Sequence, residues 1–260
     1  VKLLREKYGI DPEKITYFTH GTTVGINTVI QRNGLKLALF TTENFTDVLE
    51  LARLKSPDMY NLLSRRPEPL VSRDMVFGIR ERVDALGAVV TPLERASVIQ
   101  ALNAALKQGA EAIVISFLHA YSNAAHEQQV SAIIREIAPE LPVICSSATW
   151  PIIREYERTI TAVIAAYVQP RVKYYLSSLQ NALKNTGIRP ELHLTKSNGG
   201  IMTAELGKEQ CAQMILSGTA SGVIGAGYVA KTSGVEKCLS LDIGGTSADV
   251  AIILNGQPHY

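Results

Sequence analysis

Residues 239–253 read LSLDIGGTSADVAII, and this stretch decides how the rest of the chain is interpreted. Two short runs rich in apolar and β-branched residues flank Gly244-Gly245, which predicts a hairpin of two otherwise buried strands. Glycines at such a tip let backbone N–H groups approach a bound group closely. The stretch therefore predicts a tip that suits a phosphate, and a tight turn with an ordinary polar tip is the alternative.

Polar side chains cluster at this predicted tip. Asp242 ends the first strand and could hold a hydrated Mg²⁺, which makes it the candidate metal ligand and a candidate catalytic residue. Asp249 offers a second catalytic carboxylate. Thr246 and Ser247 offer hydroxyls, and with Gly244-Gly245 they are candidate cofactor-binding residues.

Composition narrows the class of protein. The chain has 260 residues, enough for a substantial core, and 26 Lys and Arg against 24 Asp and Glu give no sign of a nucleic-acid or membrane partner. Cys145, Cys211 and Cys238 are odd in number and lack C-x-x-C spacing, so neither a disulfide framework nor a zinc site is indicated. We expect a reduced cytoplasmic setting.

Helical and strand patterns alternate along the chain, which predicts an α/β fold with a mainly parallel sheet. The polar stretch 146–153 predicts a boundary between a region 1–150 and a region 151–260. Beyond it a long helical pattern contains Pro170, which predicts a kink or two abutting helices. Residues 1–9 resemble the end of a helix closed by Gly9, so we expect the chain to begin inside a larger protein.

A β-loop-α-β unit is predicted near the start, with strands at 15–19 and 35–40 and a helix with an apolar face between them. Its loop is His20-Gly21-Thr22-Thr23, where ligands gather in such units. His20 could bind an anion or polarise a carbonyl. The alternative is that a threonine caps the helix and His20 packs beside it.

Several local patterns predict ordinary structure. Thr91-Pro92-Leu93-Glu94 resembles a capping box that opens a helix. The alternating charges of 80–87 favour an exposed strand with cross-strand ion pairs. His126 is expected on a helix surface, and the charged run 154–159 is expected to form a solvated, internally paired turn.

Two further glycine-containing segments are candidate ligand loops. Asn198-Gly199 follows a predicted strand, where a ligand could approach the backbone, although turn chemistry explains the pair equally well. Ser217-Gly218 precedes a helix of small residues predicted at 224–230, whose glycines permit close packing or place free N–H groups near an anion. We therefore count Ser217 and Gly218 among the candidate cofactor-binding residues.

Several motifs, taken together and in order, resemble the hydantoinase/oxoprolinase family. Residues 242–250 are similar to that family's D-M-G-G-T-S-T-D-V, with Ala248 in place of the second threonine. His20 through Val24 with Asn27 match H-G-T-T-V-x-x-N, and 154–159 match R-E-Y-E-R-T. Residues 197–200 match S-N-G-G, and 217–223 resemble S-G-P-A-G-G-V with two substitutions, Thr219 and Ser221.

This resemblance implies a duplicated actin-like fold, related to sugar kinases and heat-shock chaperones, with two phosphate loops. The chain would hold a partial N-terminal domain and the start of the second domain, with only the second loop, and would be inert by itself. The resemblance implies ATP with Mg²⁺ or Mn²⁺ as cofactors. It also places a substrate pocket at a set of residues shared with the family motifs: His20, Gly21, Thr22, Thr23, Asn27, Asn198 and Gly199.

The implied activity is ATP-dependent opening of a cyclic amide such as hydantoin, N-methylhydantoin or 5-oxoproline, in which the carbonyl oxygen is phosphorylated and the activated ring hydrolysed. A second, B-type hydantoinase subunit is the implied partner, with homo-oligomers as a further option. Two alternatives stay open. One is the ATP-using subunit of a ketone carboxylase, and the other is a nucleotide-gated binding or assembly subunit.

Overall fold

The computed structural model describes residues 2–54, 58–245 and 247–259. They form two compact units. The split unit comprises the residues up to Asn33 together with those from Val168 onward, and the continuous unit comprises Gly34–Tyr167. No helix in the described ranges is long and apolar enough to cross a bilayer.

Strands and helices alternate along the described chain. The strands are β1 (Phe18–His20), β2 (Leu37–Thr42), β3 (Val76–Ile79), β4 (Arg82–Val83), β5 (Val89–Thr91), β6 (Ala112–Ser116), β7 (Val143–Cys145), β8 (Leu192–Thr195), β9 (Ile201–Thr203), β10 (Lys237–Ile243), β11 (Ala248–Leu254) and β12 (Gln257–His259). The α-helices are α1 (Lys2–Tyr8), α2 (Val24–Ile30), α3 (Val48–Leu51), α4 (Arg95–Lys107), α5 (Ala125–Ile137), α6 (Ser146–Thr149), α7 (Glu155–Asn185), α8 (Ala204–Glu209) and α9 (Ser217–Thr232). The predicted mixed α/β fold is confirmed.

The continuous unit is built on a four-stranded parallel sheet in the order β3-β2-β6-β7. Every residue of β2 and β6 is buried, as their near-continuous apolar sequences require of central parallel strands. Helices α4 and α5 contribute buried residues such as Leu102 and Ile134 to the same core. The chain passes from β2 to β3 on one side and from β6 to β7 on the other, so the strand order reverses between β2 and β6.

The split unit contains two small sheets. In one, β8 lies between β1, which is parallel to it, and β9, which is antiparallel. In the other, β10, β11 and β12 form an antiparallel meander that packs against α9. The predicted β-loop-α-β unit is wrong, because β1 pairs with β8 whereas β2 belongs to the sheet of the continuous unit. The predicted helix is observed as α2, whose buried residues are Gly25 and Thr28. Its apolar side chains Val24, Ile26 and Val29 are partly buried.

Helix α7 runs unbroken through Pro170, so of the two predicted alternatives the pair of abutting helices is wrong, and a kink at Pro170 stays a prediction. Its residues up to Tyr167 belong to the continuous unit and those from Val168 to the split unit. Val168 and Val172 are at most 1% exposed on either side of the proline. Packing of these side chains offsets the backbone hydrogen bond that a proline removes.

Two predictions about charged residues are wrong for the same reason, a partner distant in sequence, and the predicted capping box is wrong as well. Glu81 is buried and accepts hydrogen bonds from Thr42 and His126, so neither Glu81 nor His126 lies on the surface. Arg158 is fully buried rather than part of a solvated turn. Helix α4 begins at Arg95 without a side-chain cap, and Thr91 ends strand β5 instead of capping the helix.

The hairpin predicted around Gly244-Gly245 is confirmed as β10 and β11, but the predicted burial of its strands is not. In the described residues one face packs on α9, and Ile253 on that face is fully buried. The opposite face is apolar and between 48% and 72% exposed. Its exposed side chains are Leu239, Leu241, Ile243, Val250 and Ile252. The division into regions 1–150 and 151–260 stays a prediction, distinct from the two compact units.

Candidate functional site

Two carboxylates face each other at the hairpin of the split unit. Asp242 on β10 and Asp249 on β11 are register partners, so their side chains project from the same face of the hairpin. Asp242 is exposed and Asp249 is partly buried. Like charges directly opposite on neighbouring strands repel, and a cation held between them would remove that repulsion.

The tip beside these carboxylates is a tight turn in which the Gly244 N–H donates to the Ser247 carbonyl at 2.9 Å. A methyl group placed on Gly245 would meet nothing within 4 Å, so the tip is open on that side. Thr246 lies outside the described residues. Gly244, Gly245 and Ser247 thus lie next to the carboxylate pair, and their cofactor-binding role stays a prediction.

The start of α9 connects the hairpin to the loop that follows β1. Thr219 Oγ1 donates to Asp249 Oδ2 at 3.2 Å. Ser217 Oγ donates to the Thr22 carbonyl at 3.0 Å and accepts from the Thr22 N–H at 3.1 Å. The Gly218 N–H also donates to the Thr22 carbonyl, at 3.2 Å. The segment 217–223 that was predicted to precede a helix is therefore the first turns of α9 and holds the loop in place.

Glycines make this close approach between loop and helix sterically feasible. A Cβ at Gly21 would lie 2.6 Å from Ser221 Oγ and 3.0 Å from the Ser217 carbonyl oxygen. A Cβ at Gly218 would lie 2.9 Å from Thr23 Cγ2. Side chains larger than hydrogen at either position would push the loop away from the helix, so both glycines are required for this packing.

His20 is the last residue of β1, directly before the loop Gly21–Thr23, and it is half-buried. Its Nε2 lies 2.7 Å from the hydroxyl oxygen of Tyr175 on α7, a hydrogen bond that no sequence pattern indicated. Burial lowers the pKa of His20 from its ordinary value of 6.5. The imidazole is therefore neutral at pH 7, and it can donate or accept a hydrogen bond to a substrate without carrying charge.

Because of this pKa shift, we expect the stability of the split unit to depend on pH. Because the folded state disfavours the protonated imidazole, stability is fully present above pH 6.5 and is lost as the pH falls from 6.5 toward the folded-state pKa. NMR titration of the imidazole signals should place the His20 midpoint below 6.5. His20→Asn should abolish this part of the pH dependence, and a His20 midpoint at or above 6.5 would contradict the prediction.

The remaining predicted substrate residues lie in turns or helices with partners of their own. The Asn27 side chain donates to Thr23 Oγ1 at 3.3 Å. Asn198 Oδ1 accepts from the Gly200 N–H at 3.0 Å, which is ordinary turn chemistry. Gly199 has a φ of +82°, and a Cβ there would lie 2.7 Å from Ile224 Cδ1 on α9. Conformation and packing therefore account for Gly199, and a substrate role for it stays a prediction.

The split unit thus links most of the predicted site residues into one connected group. The links run from Asp242 to its register partner Asp249, through Thr219 to the start of α9, and through Ser217 to the loop His20–Thr23. The described residues contain no group of three or more His, Cys, Asp and Glu side chains able to hold a metal. The Asp242 and Asp249 pair still fits Mg²⁺, which usually keeps several waters and takes one or two carboxylates.

Two family models match the chain. Residues 1–138 match the model described as the hydantoinase/oxoprolinase N-terminal region, and residues 158–260 match the model described as hydantoinase/oxoprolinase. The acetophenone carboxylase gamma subunit of Aromatoleum aromaticum is 34% identical to this chain over 269 residues, which cover 97% of the chain and 36% of that protein.

Two solved structures share the fold. A nucleotide-free structure of acetone carboxylase, described as carrying out ATP-dependent acetone carboxylation, matches with a TM-score of 0.83 and 31% identity over 92% of this chain and 35% of that one. The crystal structure of an ATP-dependent caprolactamase from Pseudomonas jessenii matches with a TM-score of 0.82 and 29% identity over 96% of this chain and 37% of that one. The chain spans a little over a third of the length of the curated relatives it matches.

Proposed function

Because the chain belongs to the hydantoinase/oxoprolinase family, we propose that it is part of an ATP-dependent enzyme that opens a cyclic amide. In this reaction the γ-phosphoryl group of ATP passes to the carbonyl oxygen of the amide and ADP leaves. Water then adds to the activated carbon, inorganic phosphate leaves, and cleavage of the C–N bond opens the ring. Small lactams and hydantoins are the proposed substrate class. The observation that carries the proposal is the pair Asp242 and Asp249 facing each other beside the open Gly244-Gly245 tip.

Phosphoryl transfer depends mainly on positioning and on compensation of negative charge. Asp242 is exposed and its carboxylate is proposed to hold Mg²⁺, which when bound would offset charge on the transferred group. Asp249 accepts a hydrogen bond from Thr219, which orients its carboxylate beside that of Asp242. The open tip lets the backbone N–H groups and the Ser247 hydroxyl reach phosphate oxygens.

His20 is proposed to act on the substrate rather than on the nucleotide. A neutral imidazole carries one ring proton, and only the nitrogen that carries it can donate a hydrogen bond to a substrate carbonyl. The hydrogen bond between Nε2 and the Tyr175 hydroxyl influences which of the two nitrogens is protonated. The loop Gly21–Thr23 is fixed against α9 by Ser217 and Gly218. A fixed loop places His20 without an entropic cost at the moment of reaction.

Ketone carboxylation is the second candidate function. It is favoured by the acetone carboxylase structure and by the acetophenone carboxylase gamma subunit, both similar to this chain over nearly its whole length. The same phosphate-binding geometry would serve, because the enolate oxygen that a ketone forms on loss of an α-proton can also accept the phosphoryl group. The word subunit in the relatives' names supports the further proposal that a second chain completes the enzyme.

A phosphate-release assay distinguishes these functions. The complete protein with its partner chain is incubated with ATP and Mg²⁺, or Mn²⁺ in parallel, and with hydantoin, N-methylhydantoin, 5-oxoproline or caprolactam. Acetone and acetophenone with bicarbonate form the second set. Phosphate release that requires a cyclic amide, with a ring-opened product, is expected. Release that requires a ketone and bicarbonate would support the second function, and slow release independent of substrate would support an assembly subunit instead.

A further inference from the structure

The central strands of the continuous unit end at a cavity. Strands β2 and β6 are parallel neighbours, and the chain leaves them in opposite directions, to β3 and to β7. In open parallel sheets, ligands bind outside the carboxyl ends of the strands at such a reversal. A cavity of about 590 Å³ lies there, lined by Thr41 and Ser116 from the ends of these two strands. Small-molecule pockets typically measure about 300–1,000 Å³.

Three largely buried residues with hydroxyl groups line this cavity. Thr41 and Ser116 are register partners, so their side chains project from the same face of the sheet. Ser116 Oγ lies 2.7 Å from the hydroxyl oxygen of Thr159 on α7, and one of these two groups must donate to the other. That arrangement leaves one hydroxyl hydrogen of the pair unused.

Thr41 has no such neighbour. It is 3% exposed, and no other residue in the described part of the chain forms a hydrogen bond with its hydroxyl. Among the described residues, the Thr41 oxygen is not one of the fully enclosed polar atoms that lack a partner, so it opens to the cavity, where a ligand can form a hydrogen bond with it. The adjacent Thr42 shows the usual arrangement, since its hydroxyl donates to Glu81 and accepts from the Leu118 N–H.

The rest of the cavity lining indicates the chemistry of a ligand. Much of the wall is apolar and is formed by Phe45, Val48, Leu51, Phe117, Leu118 and Tyr156. Arg154 and Glu155 line the cavity with contacts of 4.0 Å to Glu157 and 3.9 Å to His119. Two other charged lining residues have closer partners. Asp47 pairs with Arg73 at 2.7 Å, and Glu157 pairs with Arg53 at 2.8 Å. A charged ligand would have to compete with these pairs, whereas a neutral ligand would not.

We propose that this cavity binds a small uncharged molecule with an apolar body and a carbonyl or amide group. The apolar body lies against the aromatic and aliphatic wall, and the carbonyl oxygen accepts a hydrogen bond from Thr41 and from the Ser116–Thr159 pair. This site belongs to the continuous unit and uses none of the residues proposed for phosphoryl transfer. This proposal is therefore independent of the proposed function, and each can be tested without the other.

The probe is benzamide, a neutral molecule with an aromatic ring and an amide. Three compounds of nearly the same shape isolate one property each: benzoate is an anion, benzamidinium is a cation, and isopropylbenzene has no polar group. Binding to the full chain is measured by ligand-observed NMR at several concentrations. Saturable binding of benzamide, with weaker binding of the other three, is expected.

Two neighbouring threonines provide a matched pair of variants. Thr41→Val should lower benzamide affinity about tenfold, the upper range for one hydrogen bond, and should leave isopropylbenzene affinity unchanged. Its melting temperature should stay the same or rise, because an unpartnered hydroxyl is removed. Thr42→Val should lower the melting temperature, since it deprives Glu81 and the Leu118 N–H of their partner.

Several results would overturn the proposal. One is the absence of saturable benzamide binding to the unaltered chain, and another is equal benzamide affinity in Thr41→Val. Tighter binding of benzoate or benzamidinium than of benzamide would show that the ligand is charged. A fall in melting temperature for Thr41→Val would show that the Thr41 hydroxyl supports the fold. This measurement compares Thr41→Val with the unaltered chain, so it can be made even if Thr42→Val does not fold.

Discussion

Asp242→Asn in the complete protein is expected to reduce ATP-dependent turnover by about 10²–10³-fold, the range seen when one electrostatic contact to a transition state is removed. The side chain keeps its shape and loses its charge, so the proposed metal ligand is lost while the hairpin keeps its packing. Stability should stay the same or rise by up to about 1 kcal/mol, because the variant removes the repulsion between Asp242 and its register partner Asp249. Phosphate release and thermal unfolding are measured on the same preparation.

The matched control is Glu209→Gln, which neutralises an exposed carboxylate elsewhere in the split unit. It should change neither turnover nor melting temperature, since surface substitutions usually alter stability by less than about 0.5 kcal/mol. Retained turnover in Asp242→Asn together with a lowered melting temperature would show that Asp242 serves the hairpin and not the phosphate.

Arg158→Met should destabilise the continuous unit by about 3–5 kcal/mol, the usual cost of removing one member of a buried charged network. Arg158 is fully buried and donates to Ser146 Oγ at 3.0 Å and to the carbonyl groups of Ile152 and Phe117. Ser146 Oγ donates in turn to the buried carboxylate of Glu127 at 2.6 Å. Methionine fills much of the same volume, but the Ile152 carbonyl loses its Arg158 donor and the Phe117 carbonyl keeps only the Ala120 N–H at 3.4 Å. Glu127 also loses its nearby positive charge.

Trp150 lies in the continuous unit and is the only tryptophan of the chain, so its fluorescence during urea unfolding reports on that unit. Arg154→Met is the control, because the Arg154 side chain is 72% exposed one turn earlier on the same segment. The double variant Glu127→Gln/Arg158→Met should be destabilised by less than the sum of the two single variants. Full additivity would mean that Glu127 and Arg158 act independently, and a loss near that of Arg154→Met would refute the buried network.

Sequence patterns were sufficient where a local rule specifies the structure. The hairpin of β10 and β11 was predicted close to its observed bounds. Residues close together in sequence determine both its turn and the hydrogen bonding between its two strands. The pairing of Asp242 with Asp249 follows from the position of the turn, because a hairpin fixes the register of its strands.

Predictions of surface position were wrong for Glu81, His126 and Arg158, all of which are buried. A local pattern of charges favours the surface, because burial of an unpaired charge is costly. The partners that offset this cost, such as Thr42 for Glu81 and Phe117 for Arg158, lie about 40 residues away and cannot be read from a local window. The unpartnered hydroxyl of Thr41 is likewise visible only when the surrounding side chains are in place.

The sequence by itself determined the mixed α/β class, the hairpin that brings Asp242 opposite Asp249, and the motifs shared with the hydantoinase/oxoprolinase family. Only the tertiary structure decided that β1 pairs with β8, that Ser217 fixes the loop after His20, and that β2 and β6 end at a cavity. The division has a physical reason. Periodicity and turn chemistry act over a few residues, whereas parallel strand pairing and buried polar networks join segments that meet only after the chain has folded.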